Sequence, residues 1–126
     1  MIKLFSYDWA CLLQSSLLIH EEYQKSATGF DSSMQFVIHM SQDETRTWGI
    51  NLPHCDDVWG EHKEEVDIIM EGPFDVFEQI KLGELQPVVA ISTGKIKFKG
   101  DVLKMLKYAK ATALFIKAMG DTPGEV

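Results

Sequence analysis

Apolar residues in this chain repeat with a helical period at both ends and with a strand period between them. Trp9, Leu12, Leu13 and Leu17 recur near helical spacing, with Asp8, Ser15 and Glu22 opposite. This predicts an amphipathic helix capped by Ser6 or Asp8, running to about Lys25 and ended by Gly29. From Met34 the period becomes two. Met34, Phe36, Ile38 and Met40 share one face against Gln35, Val37 and His39, and Trp48, Ile50 and Leu52 repeat the pattern against Thr47, Gly49 and Asn51. Gln42, Asp43 and Glu44 sit where a hairpin turn belongs. A third strand is predicted around Val58 to His62 and a fourth from Val66 to Met70, which completes a meander with one buried and one wet face.

Gly72 and Pro73 end the sheet pattern and open a helix with Phe74, Phe77 and Ile80 along one edge. The next stretch, Gly83 to Asp101, is punctuated throughout. Gly83 can end that helix in the left-handed conformation, Pro87 can open a short second one, and Gly94 can close it before a strand. In that strand Lys95, Lys97 and Lys99 point one way and Ile96 and Phe98 the other, and Asp101 can cap the last helix. The lysine row suits a solvated, edge-protected strand or a contact with headgroups or a ligand carboxylate. The last helix is predicted over Val102 to about Met119. Met105, Ala109, Ala113 and Ile116 form its inward stripe, flanked by Val102 and Leu106, and Lys104, Lys107, Lys110 and Lys117 lie outside. Leu103 and Leu114 fall among the lysines, and Tyr108 and Phe115 widen the apolar face, so the helix is more apolar than one buried stripe requires.

Gly83, Leu85, Pro87, Ala90, Gly94, Lys95, Ile96, Lys97, Gly100 and Asp101, at this spacing, resemble the signature of the sterol carrier protein type 2 family, the non-specific lipid-transfer proteins. The resemblance implies an α+β fold: a five-stranded, mainly antiparallel sheet covered on one face by N- and C-terminal helices and two short helices. It also implies an apolar tunnel for fatty acyl chains or sterols. Together with the alternation it puts Phe36, Ile38, Trp48, Ile50, Ile68, Phe77, Ile96, Phe98, Met105, Ala109 and Ile116 on the tunnel wall, with Trp9 under its helix or at the entrance.

Composition and charge narrow the function classes. With 45% apolar and 25% charged residues, 126 residues suit one globular domain over 1–126. The net charge of −7 is uneven: residues up to Met70 are acidic, whereas eight lysines between Lys81 and Lys117 face only Glu84 and Asp101. A single arginine, Arg46, argues against nucleic acid as a partner, while the lysines suit transient contact with anionic membrane. Cys11 and Cys55 form no disulfide framework and are expected reduced, and the N-terminal apolar run is interrupted by Asp8 and Gln14, so the chain reads as cytoplasmic. The segment Asn51 to His62 collects His54, Cys55, Asp56, Asp57, Glu61 and His62, but at no metal-site spacing. No nucleophile elbow, dinucleotide fingerprint or P-loop occurs. The expectation is a non-enzymatic carrier of acyl chains, acyl-CoA or sterol-like ligands, without cofactor or metal. The second reading, of another class, keeps the fold with a filled core and serves as a homo-oligomeric or accessory module, pairing through Leu114 and Phe115.

Overall fold

The computed structural model describes residues 1–126. Helix α1 (Tyr7–Leu18) is capped by Ser6, whose Oγ accepts from the Trp9 amide at 3.2 Å. The predicted first helix is in fact two. His20 turns its ring back to accept from the Tyr23 amide at 3.1 Å, and this starts α2 (Glu21–Ser26) in a new direction. Gly29, at φ 91°, then reverses the chain into the sheet.

Strands β1 (Ser32–His39), β2 (Thr45–Leu52), β3 (Val58–Trp59), β4 (Ile68–Pro73) and β5 (Lys97–Lys99) form one sheet in the order β3-β2-β1-β4-β5. The predicted meander is overturned at its fourth strand. Beyond β3 the chain crosses to the far side of β1, where β4 pairs parallel with Met34 opposite Ile68 and Phe36 opposite Met70. The other three pairings are antiparallel. The third strand is also shorter than expected, and the fourth begins later and runs to Pro73.

A buried glutamine explains the crossing. Gln35 points away from Met34 and Phe36, on the face expected to be wet, yet it is fully buried. Its Oε1 accepts from Trp59 Nε1 and from the Lys63 amide, both at 2.9 Å, and its Nε2 donates to the Lys63 carbonyl at 3.0 Å. His62 Nδ1 lies 3.2 Å from the same Nε2. All the hydrogen-bonding capacity of one side chain is thus spent on the segment that carries the chain over β1. Gly49 makes room for it, because a Cβ there would stand 2.1 Å from the Trp59 ring. Ser33 and Asp67 close the crossing, since the Asp67 carboxylate accepts from the Ser33 amide at 3.0 Å and the Asp67 amide donates to Ser33 Oγ at 2.9 Å.

The other face carries the core. Helices α1, α3 (Phe74–Lys81) and α6 (Ala109–Asp121) bring Trp9, Leu13, Leu17, Phe77 and Phe115 onto Phe36, Ile38, Trp48, Ile50 and Ile68. Trp9 is fully buried, and its Nε1 donates to the Thr122 carbonyl at 3.1 Å, joining the first helix to the end of the last. The short helices α4 (Pro87–Ser92) and α5 (Val102–Lys107) sit at the margin, each with one buried side chain, Ala90 and Met105. The predicted C-terminal helix is broken at Tyr108, where φ −106° and ψ 40° separate α5 from α6. The break turns α6, so its buried side chains are Ala111, Phe115, Ala118 and Met119, while Ala109 and Ala113 are exposed. Phe115 is core and Leu114 is half-buried against it, so neither offers the free surface expected for pairing.

Replacing Gln35 by Leu would leave Trp59 Nε1 and both polar groups of the Lys63 peptide without their partner. The expected cost is about 2–4 kcal/mol, read by urea unfolding. Gly49→Val should cost a similar amount and move the Trp59 emission to the red as the ring is displaced.

Candidate ligand-binding cavity

The inner face of the sheet is filled unequally. Near the C-terminal end of β1, Trp48 stacks on Phe36 at 4.3 Å and meets Trp9 edge-on at 5.3 Å, and Trp9 in turn meets Phe5 at 5.1 Å. These rings close that end. At the other end, where β1 begins and β2 finishes, Met34, Phe36, Leu52 and Met70 form the floor of a cavity of about 40 Å³. Tyr23, Phe30, Phe77 and Ile80 wall it, and Ala111, Phe115 and Met119 of α6 roof it. Four of the six methionines in the chain, Met34, Met70, Met105 and Met119, border this space. Methionine is unbranched, polarizable and adaptable, so the wall can change shape at low cost.

The cavity adjoins an outer space. Ile80, Pro87, Met105, Thr112 and Ile116 border both the cavity and a groove of about 350 Å³ between α4 and the α5–α6 arm. Leu85, Val88, Leu106, Ala109 and Ala113 line the groove further out. Its volume falls within the roughly 300–1,000 Å³ of ordinary small-ligand sites.

Tyr23 and Thr112 are the polar side chains on the cavity wall. Burial holds the Tyr23 phenol well above its ordinary value, with the neighbouring Cys55 thiol adding to the shift. The thiol lies 3.7 Å from Tyr23 Oη and is itself pushed up to about 11, chiefly by burial. Both groups are therefore neutral at physiological pH, and the inner cavity offers nothing to pair a charged headgroup. The remaining members of the Asn51–His62 segment do not converge: His54 lies 3.4 Å from Gln24, Asp56 accepts from Asn51 at 3.2 Å, and His62 serves Gln35. No three of the histidines, cysteines and acids come together as a metal site.

Of the residues expected on the tunnel wall, Phe36, Phe77, Met105 and Ile116 border the cavity, and Ala109 borders the groove. Ile38, Trp48, Ile50, Ile68 and Ile96 are packed into the core away from both, and Phe98 is half-buried against that core. The strand residues that were missed, Met34, Leu52 and Met70, lie on the same alternating faces as those named. Tyr23 and Phe30 carry no periodic signal toward the cavity, and Ala111 and Phe115 were hidden by the break at Tyr108.

A twisted sheet roofed by helices over an uncharged, apolar cavity with one open mouth is the architecture of a lipid-binding domain. The chain belongs to the SCP-2 sterol transfer family, whose sequence profile matches residues 19–113. A sterol carrier protein 2 crystal structure has the same fold, with a TM-score of 0.84 at 22% identity over 96% of this chain and 100% of that one. A Thermus thermophilus protein described as possibly a sterol carrier protein gives 0.85 at 21% identity over 98% and 92%. The human hydroxysteroid dehydrogenase-like protein 2 is 27% identical over 77 residues, 60% of this chain, and the chain spans only 18% of that protein.

The Tyr23–Cys55 pair makes stability fall in alkali. A thiol at about 11 in the folded state and 9.0 unfolded loses its proton first in the unfolded chain, so unfolding gains as pH rises from 9 toward 11. Urea midpoints should drop over that window, and the drop should be smaller in a Tyr23→Phe/Cys55→Ala variant.

Proposed function

We propose that residues 1–126 form a single carrier domain that takes up one long-chain amphiphile tail first, without performing chemistry on it. The observation that carries this reading is that cavity and groove share a wall that includes Met105, the neck between them. An acyl chain threaded through the neck removes its surface from water, worth about 25 cal/mol per Å² of apolar area. The polar head stays in the groove, because a charge in the uncharged inner cavity would be left unpaired. Fatty acids and acyl-CoA fit this arrangement. The resting cavity of about 40 Å³ holds little more than a water-sized body, so uptake requires the methionine wall to part. A flexible chain can do this stepwise, whereas a fused-ring sterol must open the whole neck at once. Burial of an acyl tail is non-directional, so chain length and unsaturation are read loosely.

The test is equilibrium titration with a fluorescent fatty acid and, in parallel, a fluorescent sterol. The fatty acid should bind more tightly. Met105→Glu puts an unpaired carboxylate in the neck and should weaken fatty-acid binding at least about tenfold while circular dichroism stays unchanged. Unaltered binding by that variant would remove the neck from the path of entry, and no uptake of either probe by folded wild type would support the filled-core module instead.

A further inference from the structure

One polar group on the cavity wall is only partly satisfied by the protein itself. Five aromatic rings border the cavity, and four of them are phenylalanines, Phe30, Phe36, Phe77 and Phe115. The fifth is Tyr23, 1% exposed, on the short helix α2 that His20 caps. Its ring lies 6.2 Å from that of Phe115. A phenylalanine would fill the same place and spare the cost of taking a hydroxyl out of water. Packing therefore accounts for the ring of Tyr23 but not for its oxygen.

Within the chain the Tyr23 hydroxyl meets one group, Cys55 Sγ at 3.7 Å. A thiol is a weak donor and a weak acceptor, and this one is shared, because the Pro53 carbonyl oxygen stands at the same 3.7 Å from the sulfur. Two proton arrangements follow. If the thiol donates to the phenol, the phenol O–H has no acceptor. If the thiol donates to Pro53, the phenol donates to the sulfur and its own oxygen accepts from nothing. Cys55 is held where it is, since its amide donates to the Asn51 carbonyl at 2.9 Å and its carbonyl accepts from Gln14 Nε2 at 2.8 Å. The group that completes Tyr23 must therefore donate or accept as required, carry no charge, and arrive through the cavity. An alcohol does this with one atom, whereas a ketone only accepts and a carboxylate brings an unpaired charge.

We propose that Tyr23 reads a hydroxyl on the buried part of the cargo, so that the domain favours hydroxylated acyl chains over plain ones. The inference rests on the carrier reading and adds to it the chemistry of the tail. The placement of Tyr23 also selects which hydroxyl. Thr112, the other polar side chain on the wall, is half-buried and borders both the cavity and the groove, whereas Tyr23 borders the cavity alone. A hydroxyl beside the head stays in the groove, and only one well down the chain passes Met105 to reach Tyr23. Apolar burial reads chain length loosely. A buried hydrogen bond discriminates, because a cargo that cannot make it leaves the site's polar group unpaired.

Competition titrations on the intact chain compare octadecanoic acid with its 12-hydroxy and 2-hydroxy derivatives. Wild type should bind the 12-hydroxy acid about three- to tenfold more tightly than the plain acid, and the 2-hydroxy acid no more tightly than the plain one. In Tyr23→Phe, which keeps the ring, the order should reverse, with the 12-hydroxy acid at least about threefold weaker than the plain acid because its hydroxyl is then buried without a partner. Ratios taken within each protein cancel any general effect of the substitution on the cavity, and circular dichroism checks the fold. If wild type binds octadecanoic acid but holds the 12-hydroxy acid more weakly, the proposal is overturned and the carrier reading stands. A preference that survives in Tyr23→Phe, or that extends equally to the 2-hydroxy acid, overturns it as well. Failure of folded wild type to bind any of the three acids removes the carrier reading and the inference with it.

Discussion

The fold depends on how Gln35 is satisfied. A primary amide buried on a strand is costly unless every donor and acceptor is met, and here the partners come from the crossing segment. That requirement sets the path between β3 and β4. Because the Trp59 and Lys63 groups must reach β1 from its outer side, the chain passes over the central strand and delivers β4 to the far edge of it. A simple meander would have put β4 beside β3, separated from β1 by β2 and β3. The parallel register brings Met70 opposite Phe36, and those two residues, with Met34, make most of the cavity floor. A polar contact on one side of the sheet thereby determines the shape of an apolar site on the other.

The inner face divides into a rigid and a soft region. Aromatic rings in edge and stacked contact lock their neighbours at defined angles, and they occupy the end bounded by Trp9, Trp48 and Phe5. Trp48 Nε1 is buried at this end without a hydrogen-bond partner. At the opposite end four methionines stand among the rings of Tyr23, Phe30, Phe36, Phe77 and Phe115, and the space between them is small at rest. The sheet can therefore hold its shape while the cavity changes size.

Element types were legible from periodicity because each face of each strand meets a uniform environment over several residues. The inward sets Met34/Phe36/Ile38 and Trp48/Ile50/Leu52 follow from alternation alone, and the α+β class and the family follow from the punctuated stretch between Gly83 and Asp101. What alternation does not carry is position along a strand. Ile38, Ile50 and Ile68 share faces with Met34, Leu52 and Met70, and alternation does not separate the residues packed into the core from those that border the cavity. The outer face misled for a related reason: a single buried Gln in an alternating strand looks the same as a solvated one. Helix phase failed at two residues, His20 and Tyr108, whose side chains compete with continuation of the helix, His20 by capping and Tyr108 by stacking on Phe30.

The break at Tyr108 also accounts for the distribution of apolar surface at the C-terminus. On one continuous helix, the phase that buries Met105 would bring Ala109, Ala113 and Ile116 inward and put Phe115 on a flank. The change of direction lets Phe115 reach the core, and it leaves α5 as a short arm whose outer side has no partner within the chain. Six residues make too little helix to be stable without tertiary contacts. This arm has few: its Asp101 cap, one methionine in the neck, one lysine on the Asp31 carbonyl, and the Tyr108 ring stacked on Phe30 at its end. So lightly held an element, carrying two exposed leucines, borders both the cavity and the groove through Met105.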